Sequence, residues 1–506
     1  MTEITAANIL VVDDEDSFRL QMSDHLRKLG YRVDSAESCR SAKERLLDSS
    51  YALVLVDLHM EDFDGKVRAD AGVDLVKYIH SNYPDVPVII ITSKPAYDTF
   101  RLKGKLGVVD YLDKSPAELA DLGGKIAKNI RRNLALKIET PLGQSELNDD
   151  DREILQKLFL DSTTVRVHEF IQGARGVRLY RVDSRDADGI WIVPLIVKIG
   201  WRDAIMEELA RFERYVKHRI PSSRYPEIVS TAFARRHAGI AYTFVGGFDF
   251  SGTVTLRDYY RRHSTAEVQR VFERIFPELF RIWHESKGGK QPINLFEEYE
   301  GVLFDQGKLE SAVSTYLKGL CGGEIVRFPE LGREFPNPIL RWRSLKKSYD
   351  VRTYLSTIHG DLNGGNVLVD EGGNLWLIDF ERTCRSHIVK DHAELEVAVK
   401  YDLLEGASIQ ELAELEKELV FAPSLTAPIR LRGASENIQK ALRVVRTIRS
   451  QAEVALAPSA DPKEYFIALL YYTLNCLRFS NRDISTDKKK VLLYATNMIL
   501  ERLENQ

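Results

Sequence analysis

Cysteine is scarce in this chain: Cys39, Cys321, Cys384 and Cys476 are the four in 506 residues, widely scattered and without a C-x-x-C pair. That spacing argues against a disulfide framework or a structural zinc site and fits a reducing, cytoplasmic compartment. No apolar run approaches the ~20 residues of a membrane helix. The opening MTEITAANILVVDDED also lacks a basic segment leading into a long apolar stretch, so neither membrane insertion nor a secretory signal is expected. An excess of one charge is missing too. Lys and Arg number 71 against 75 Asp and Glu, a formal net charge of −4, which gives no reason to expect nucleic acid or an anionic membrane as the main partner. What is present is a globular composition, 44% hydrophobic and 29% charged, over a length that calls for two or three domains. No internal repeat or low-complexity tract interrupts it.

Residues 8–136 alternate short apolar runs (9–12, 52–56 and 86–92, with weaker ones at 31–33 and 108–112) with amphipathic stretches at 17–29, 41–47 and 73–80. Runs apolar on both faces are the mark of central parallel strands covered by helices on each side. The spacing predicts a doubly wound α/β domain with a parallel five-stranded sheet over about 1–138, closed by a helix over about 116–136. A polar stretch at 139–152, containing Pro141 and Gly143, reads as a linker. Beyond it, strands are expected over 165–182, 190–199 and 240–245, a helix over 204–216, and a long helical pattern from 265 to 285. A strand pair follows around 364–380, and mostly helix from 391 onward, plainest at 435–455, 463–477 and 486–503.

In open α/β sheets chemistry sits at the carboxyl ends of the strands. Those ends carry Asp13 and Asp14, then Asp57, Thr92 and Lys114. Three carboxylates at one edge repel each other unless a divalent cation is present, and Mg²⁺ suits oxygen ligands and phosphate. The Thr92 hydroxyl and the Lys114 ammonium could hold the oxygens of an attached phosphoryl group. This set, in this order, resembles the receiver domain of two-component response regulators, which has a flavodoxin-like fold. The resemblance implies that Asp57 accepts the phosphoryl group, that Asp14 and Asp57 bind Mg²⁺ directly with Asp13 acting through water, and that the His59 carbonyl is a further ligand. It makes Tyr111 the switch aromatic and implies a cognate sensor histidine kinase or phosphotransfer protein as partner. The chain departs from the family in lacking proline after Met60, in an apparent insertion at 66–71, and in Ser115 preceding Pro116.

Further along stand IHGDLNGGNVL at 358–368 and LIDFE at 377–381. H-x-D-x-x-x-x-N followed by an Asp that ends the next strand is a kinase catalytic arrangement. Asp361 can orient a substrate hydroxyl and take its proton, and Asn366 and Asp379 can hold Mg²⁺ on nucleotide phosphates. Gly360 between His and Asp, and Asp-Phe-Glu instead of Asp-Phe-Gly, make the segment similar to aminoglycoside phosphotransferases and choline kinases. That resemblance implies an α+β bilobal kinase-like domain over about 153–400, its N-lobe to about 245, with a helical C-terminal part over 401–506. It implies ATP as cofactor beside Mg²⁺, a phosphate-covering turn at 173–182 with Gly173 and Gly176, and Lys198 on the α- and β-phosphates. Among Glu207, Glu208 and Glu213, Glu208 is preferred as the partner of Lys198. An interlobe hinge is expected at 242–246, and Asp391 matches a structural Asp of relatives, while the acidic cluster around it reads as a solvated helix face, with reception of a cationic substrate as the alternative.

Together these readings describe a phosphorelay response regulator whose output domain is an ATP-dependent phosphotransferase for an unknown small-molecule or protein hydroxyl acceptor. The alternatives are a signalling scaffold in which the kinase-like part binds nucleotide or protein without turnover, and a receiver that stores phosphate in a relay.

Overall fold

The computed structural model describes residues 7–68, 70–93, 107–115, 121–130, 133–141, 147–172, 176–244, 252–302, 305–345, 347–457 and 462–505. They form two compact units: 1–207 with 227–244, and 208–226 with 245–506.

The first unit begins with β1 (Asn8–Val12), α1 (Asp16–Lys28), β2 (Arg32–Ala36), α2 (Cys39–Asp48) and β3 (Leu53–Val56). A short hairpin follows, β4 (Met60–Glu61) with β5 (Val67–Arg68), and then α3 (Ala71–Asn82), β6 (Val88–Thr92), β7 (Asp110–Asp113) and α4 (Leu122–Asn129). The strands make a parallel sheet in the order β2-β1-β3-β6-β7. Side chains alternate across a strand, so Leu10, Val12, Val54, Val56, Val88 and Ile90 face one core with Leu46, Leu75 and Ile79 of α2 and α3. Ile9, Val11, Leu53, Leu55, Ile89 and Ile91 face the other with Met22, Leu26 and Ile126 of α1 and α4. Within the apparent insertion at 66–71, Val67–Arg68 is the return strand of the small hairpin and Ala71 begins α3.

Where one closing helix was expected over 116–136, the described part is the eight-residue α4. The polar segment at 139–152 is structured at both ends. Lys137–Glu139 forms β8, paired in parallel with β9 (Thr164–Gln172), and α5 (Asp149–Leu158) starts at the Asn148 cap, whose side chain accepts the Asp151 N–H. β10 (Arg178–Arg185), β11 (Leu195–Trp201), α6 (Arg202–Arg211), β12 (Ile228–Phe233) and β13 (His237–Thr243) follow. The strands order β12-β13-β11-β10-β9-β8, antiparallel except at β8. The expected strand over 190–199 is shorter than its apolar pattern, because Ile190, Trp191, Ile192 and Val193 are exposed and pairing with β10 starts at Leu195. Ile154, Leu155 and Leu158 of α5 pack under this sheet against Val165, Val182, Val197 and Ala241.

A buried polar clasp joins the two sheets of this unit. The Lys157 ammonium of α5 lies 2.9 Å from Asp85, in the loop after α3, and 2.9 Å from Glu153, and it donates to the Phe233 carbonyl at 2.6 Å. The Phe233 N–H donates to the same Asp85 oxygen at 3.2 Å, and the Arg202 guanidinium covers the Tyr83 ring at 4.2 Å. Burial works against the charge of Lys157, yet Asp85 and Glu153 hold its pKa above the ordinary lysine value.

In the second unit Thr253–Thr255, Val367–Asp370 and Leu375–Leu377 form a three-stranded sheet, and helices make up most of the rest. The helical run from 265 to 285 widens into a π-helical turn at Ile275–Phe280, around Pro277, which has no N–H to donate. Lys390–Ala398 is buried nearly all round rather than carrying a solvated acidic face, with Lys390, Asp391, His392 and Glu396 fully inside. Glu396 is gripped at both oxygens by Arg449 of helix Glu436–Leu456, at 2.8 and 2.8 Å, and Tyr465 donates to it at 2.9 Å. Lys400 bridges Glu396 and Glu416 at 3.1 and 3.0 Å, and Tyr401 donates to Glu416 at 2.6 Å. Burial alone would raise Glu396, but Arg449 and Lys400 outweigh it and bring its carboxyl to about 2. No helix among the described residues is long and apolar enough to cross a membrane.

His284 sits in the same core, 5.5 Å from His392 between ring centroids, while His392 stacks on Phe276 at 3.6 Å. Burial, helped by the charge of Lys287, holds His284 at about 4 against the usual 6.5. The unfolded chain therefore binds this proton more readily than the folded one, and stability should fall as pH drops from about 6.5 to about 4. This group alone accounts for up to ~3 kcal/mol. Urea unfolding at pH 7 and pH 4.5 measures the loss, which His284→Phe should reduce.

Candidate functional sites

The first site lies where β1 and β3 end side by side, with Val12 in register with Val56. The Asp57 N–H donates to the Val12 carbonyl at 2.9 Å, and the Asp13 N–H to the Ala36 carbonyl at 3.1 Å, which fixes both residues at the sheet edge. Asp13, Asp14 and Asp57 each place a carboxylate oxygen within 4.8 Å of the others, with Asp13 and Asp57 buried and Asp14 exposed. Lys114 follows β7, its N–H donating to the Thr92 carbonyl at 3.1 Å, so Thr92 and Lys114 are held together at the same edge. The Lys114 ammonium contacts Asp13 and Asp57 at 2.8 Å each. Burial opposes the lysine's charge, but the two carboxylates raise its pKa above the ordinary value. Burial raises the Asp13 carboxyl, Lys114 opposes that shift, and the charge of Asp57 adds to it. One Asp57 oxygen accepts the Leu58 N–H at 2.7 Å, leaving the other on Lys114. His59 lies 3.9 Å from Asp14 through its ring, and Tyr111 is half-buried against the core.

A residue that the sequence pattern did not single out supports this loop. A Cβ on Gly72, in the first turn of α3, would lie 2.1 Å from the Asp57 carbonyl oxygen, so only glycine lets α3 approach the loop this closely. The Gly72 N–H donates to the Leu58 carbonyl at 3.0 Å.

The second site is built on the loop 359–366. Asp391 accepts the His359 N–H at 2.7 Å and the Gly360 N–H at 2.9 Å. Glu394, one turn later on the same helix, accepts the Leu362 N–H at 2.8 Å. Gly360 has φ +79°, and a Cβ there would lie 2.5 Å from the Arg382 carbonyl oxygen, which explains glycine between His359 and Asp361. The Asn366 side-chain nitrogen donates to the Asp361 carbonyl at 2.8 Å and to its carboxylate at 3.0 Å. His359 is buried, its Nε2 3.0 Å from the Ile378 carbonyl, and braces the loop rather than facing outward. The Ile378 N–H donates to the Asn366 carbonyl at 3.1 Å, so Asn366 and Asp379 rise from adjoining backbone. Asp379 takes φ +65°, a left-handed conformation costly for a non-glycine residue and concentrated at functional sites. Arg382 reaches Asp361 at 3.6 Å. Burial, together with the charges of Asp361 and Asp391, pushes the Glu394 carboxyl well above the usual range, and burial likewise raises Asp391.

Of the residues assigned to nucleotide, Lys198 is buried on β11 and Gly176 precedes β10, while Gly173 lies outside the described residues. On α6 and the turn after it, Glu208 is buried and Glu207 and Glu213 are exposed, Glu213 pairing with Lys217 at 2.8 Å. In the expected hinge, 242–244 are described and 245–246 are not. Glu394 was named in the sequence only within an acidic cluster. Its spacing of three from Asp391 was the available signal.

Comparison with known proteins divides along the chain. Residues 9–125 match the response regulator receiver domain, and residues 324–478 match the family described as ternary complex associated domain 9, a stretch that includes the loop 359–366 and Asp379. The N-terminal part is similar to the transcriptional regulatory protein ZraR of Escherichia coli K12, 33% identical over 134 residues, which are 26% of this chain and 29% of that one. It is also similar to the photosynthetic apparatus regulatory protein RegA of Rhodovulum sulfidophilum, 28% identical over 122 residues, 24% of this chain and 62% of that one. This chain thus spans less than a third of ZraR and less than two thirds of RegA. A CheY-like receiver domain protein from Methanospirillum hungatei JF-1 is 22% identical, with 25% of this chain and 94% of that one covered and a TM-score of 0.22.

Proposed function

We propose that the whole chain, whose N-terminal part is a response regulator receiver domain, is a phosphorelay response regulator phosphorylated on Asp57, and that its output portion is a kinase-like, ATP-dependent phosphotransferase acting on a hydroxyl acceptor. The observation that carries the first half is the convergence of Asp13, Asp14, Asp57 and Lys114 at one sheet edge. Three hard oxygen donors beside a half-buried ammonium fit Mg²⁺, which would neutralise the carboxylates and the incoming phosphate. An Asp57 oxygen would attack the phosphorus of a phospho-His or small phosphodonor. The leaving group departs with its electron pair, and Lys114 and Thr92 hold the transferred oxygens. Acetyl phosphate with magnesium should add one phosphoryl group to the wild-type chain and none to Asp57→Ala, read by intact mass. Equal labelling of both would remove the assignment.

The second half rests on Asp361, Asn366 and the strained Asp379 emerging from adjoining loops. The Asn366 nitrogen is committed to Asp361, which leaves its amide oxygen and the Asp379 carboxylate as the donor set for magnesium on nucleotide phosphates. Asp361 would orient the acceptor hydroxyl and take its proton as the oxygen bonds to the γ-phosphorus and ADP leaves. Lys198 and Glu208 keep the nucleotide-binding roles that the kinase resemblance implies.

Regulation of the second half by the first is supported by α3. Gly72 at one end touches the Asp57 loop, and the loop at its other end carries Asp85, which holds Lys157 of α5. The same helix α5 carries Asp151, which accepts from Arg178 at 2.6 Å and from Tyr180 at 3.2 Å, just after Gly176. With phosphorylation favouring one of two α3 positions, a response of about fivefold or more in ATP turnover is expected. Asp85→Asn should leave Asp57 labelling intact and shrink that response toward none, measured with and without beryllofluoride.

A further inference from the structure

Asp361 is the residue on which the proposed chemistry turns; its carboxylate accepts from Asn366 at 3.0 Å, and the backbone on either side of it is held from a helix. Three backbone N–H groups around it, those of His359, Gly360 and Leu362, end on two carboxylates of one helix, Asp391 and Glu394. Asp391 holds the approach to Asp361 and Glu394 holds the exit. Without the exit contact, the peptide between Asp361 and Leu362 could rotate, and Asn366 would lose its fixed partner, because its nitrogen spans both the Asp361 carbonyl and its carboxylate. Drawing a carboxylate out of water costs free energy that its hydrogen bonds must offset. Glu394 is half-buried within helix Lys390–Ala398, and it accepts the Leu362 N–H of this loop.

We infer that Glu394 is a positioning residue for Asp361, clamping the Leu362 peptide so that the Asp361 carboxylate faces the acceptor hydroxyl. The inference deepens the phosphotransfer reading and rests on it for its kinetic consequence, but the clamp itself is a property of the fold. Asp361, Asp391, Arg382, Tyr472 and Cys476 are the titratable groups whose charges act on or respond to Glu394. A neutral isostere that still accepts the Leu362 N–H keeps the clamp, and a methyl group does not.

The experiment uses the full chain with Glu394→Ala, Glu394→Gln and, as reference, Asp361→Ala. In Glu394→Ala, kcat for ATP consumption should fall at least about tenfold with KM for Mg-ATP within about twofold, as expected when a transition-state interaction alone is lost. Glu394→Gln should recover most of the rate. A loss confined to KM, or a Gln variant as impaired as the Ala variant, would overturn the positioning role. Amide hydrogen exchange at Leu362 is read in parallel. Protection should drop at least about tenfold in Glu394→Ala and persist in Glu394→Gln, and unchanged protection in both overturns the clamp. Should wild type consume ATP no faster than Asp361→Ala, the phosphotransfer reading falls, while the exchange measurement still decides the clamp.

Discussion

Replacing Asp361 with alanine should slow ATP consumption by the purified chain about 10²–10⁴-fold, the usual range for loss of a positioned proton acceptor, and leave Mg-ATP affinity within about twofold. The reason for the split is geometric. Asp361 touches the side chain of Asn366 and faces Arg382, whereas the proposed donors to magnesium and nucleotide are Asn366 and Asp379, held by the backbone bond from Ile378 to Asn366. Asp379→Ala should instead weaken Mg-ATP binding along with the rate. Nucleotide binding with equal ATP consumption in wild type and both variants would favour the scaffold reading, in which this portion binds without turnover.

Arg449→Ala should destabilise the second unit by about 3–5 kcal/mol, because it removes one side of a buried pair and leaves the Glu396 carboxylate uncompensated. The geometry makes the cost large: Arg449 is fully buried, grips both Glu396 oxygens at 2.8 Å, and also donates to the Leu419 carbonyl at 2.6 Å. Lys400 limits the loss, since it continues to touch Glu396 at 3.1 Å. The double variant Arg449→Met with Glu396→Leu should recover much of the loss, because an apolar pair of similar volume carries no desolvation penalty. Urea midpoints of wild type, single and double variants measure both effects, and additive losses would show that the two side chains act independently.

The receiver was legible because its chemistry sits at strand ends, and strand ends can be read from apolar runs. Asp13, Asp57, Thr92 and Lys114 follow directly from the runs at 9–12, 52–56, 86–92 and 108–112. Gly72 was not legible, since its role is a contact with the Asp57 carbonyl that no local pattern encodes. The spacing of Asp361, Asn366 and Asp379 anticipated that Asp361 and Asn366 touch within one loop and that Asp379 rises from adjoining backbone. The surroundings of Asp391 did not read correctly, because charged residues on a helix look solvated in one dimension. Glu396 meets Arg449 from a helix 53 residues later, and only that partner makes burial tolerable. Polar composition likewise disguised 139–152, which begins on the last residue of the strand Lys137–Glu139, held by its pairing with β9 rather than by its own propensity. Pro277 altered the hydrogen bonding of a helix without ending it, an outcome decided by the packing of Ile275, Phe276, Leu279 and Phe280 in the core.

The Lys157 clasp bears on how freely this receiver can be exchanged for another. Its counter-charge, Asp85, belongs to the receiver, while the ammonium belongs to α5 and the Phe233 carbonyl and amide to the sheet that α5 packs against. A chimaera with a foreign receiver lacking an acid at that loop would bury a cation with Glu153 alone and strand the Phe233 amide. Grafting across 138 should therefore succeed only where the donor sequence brings its own Asp85.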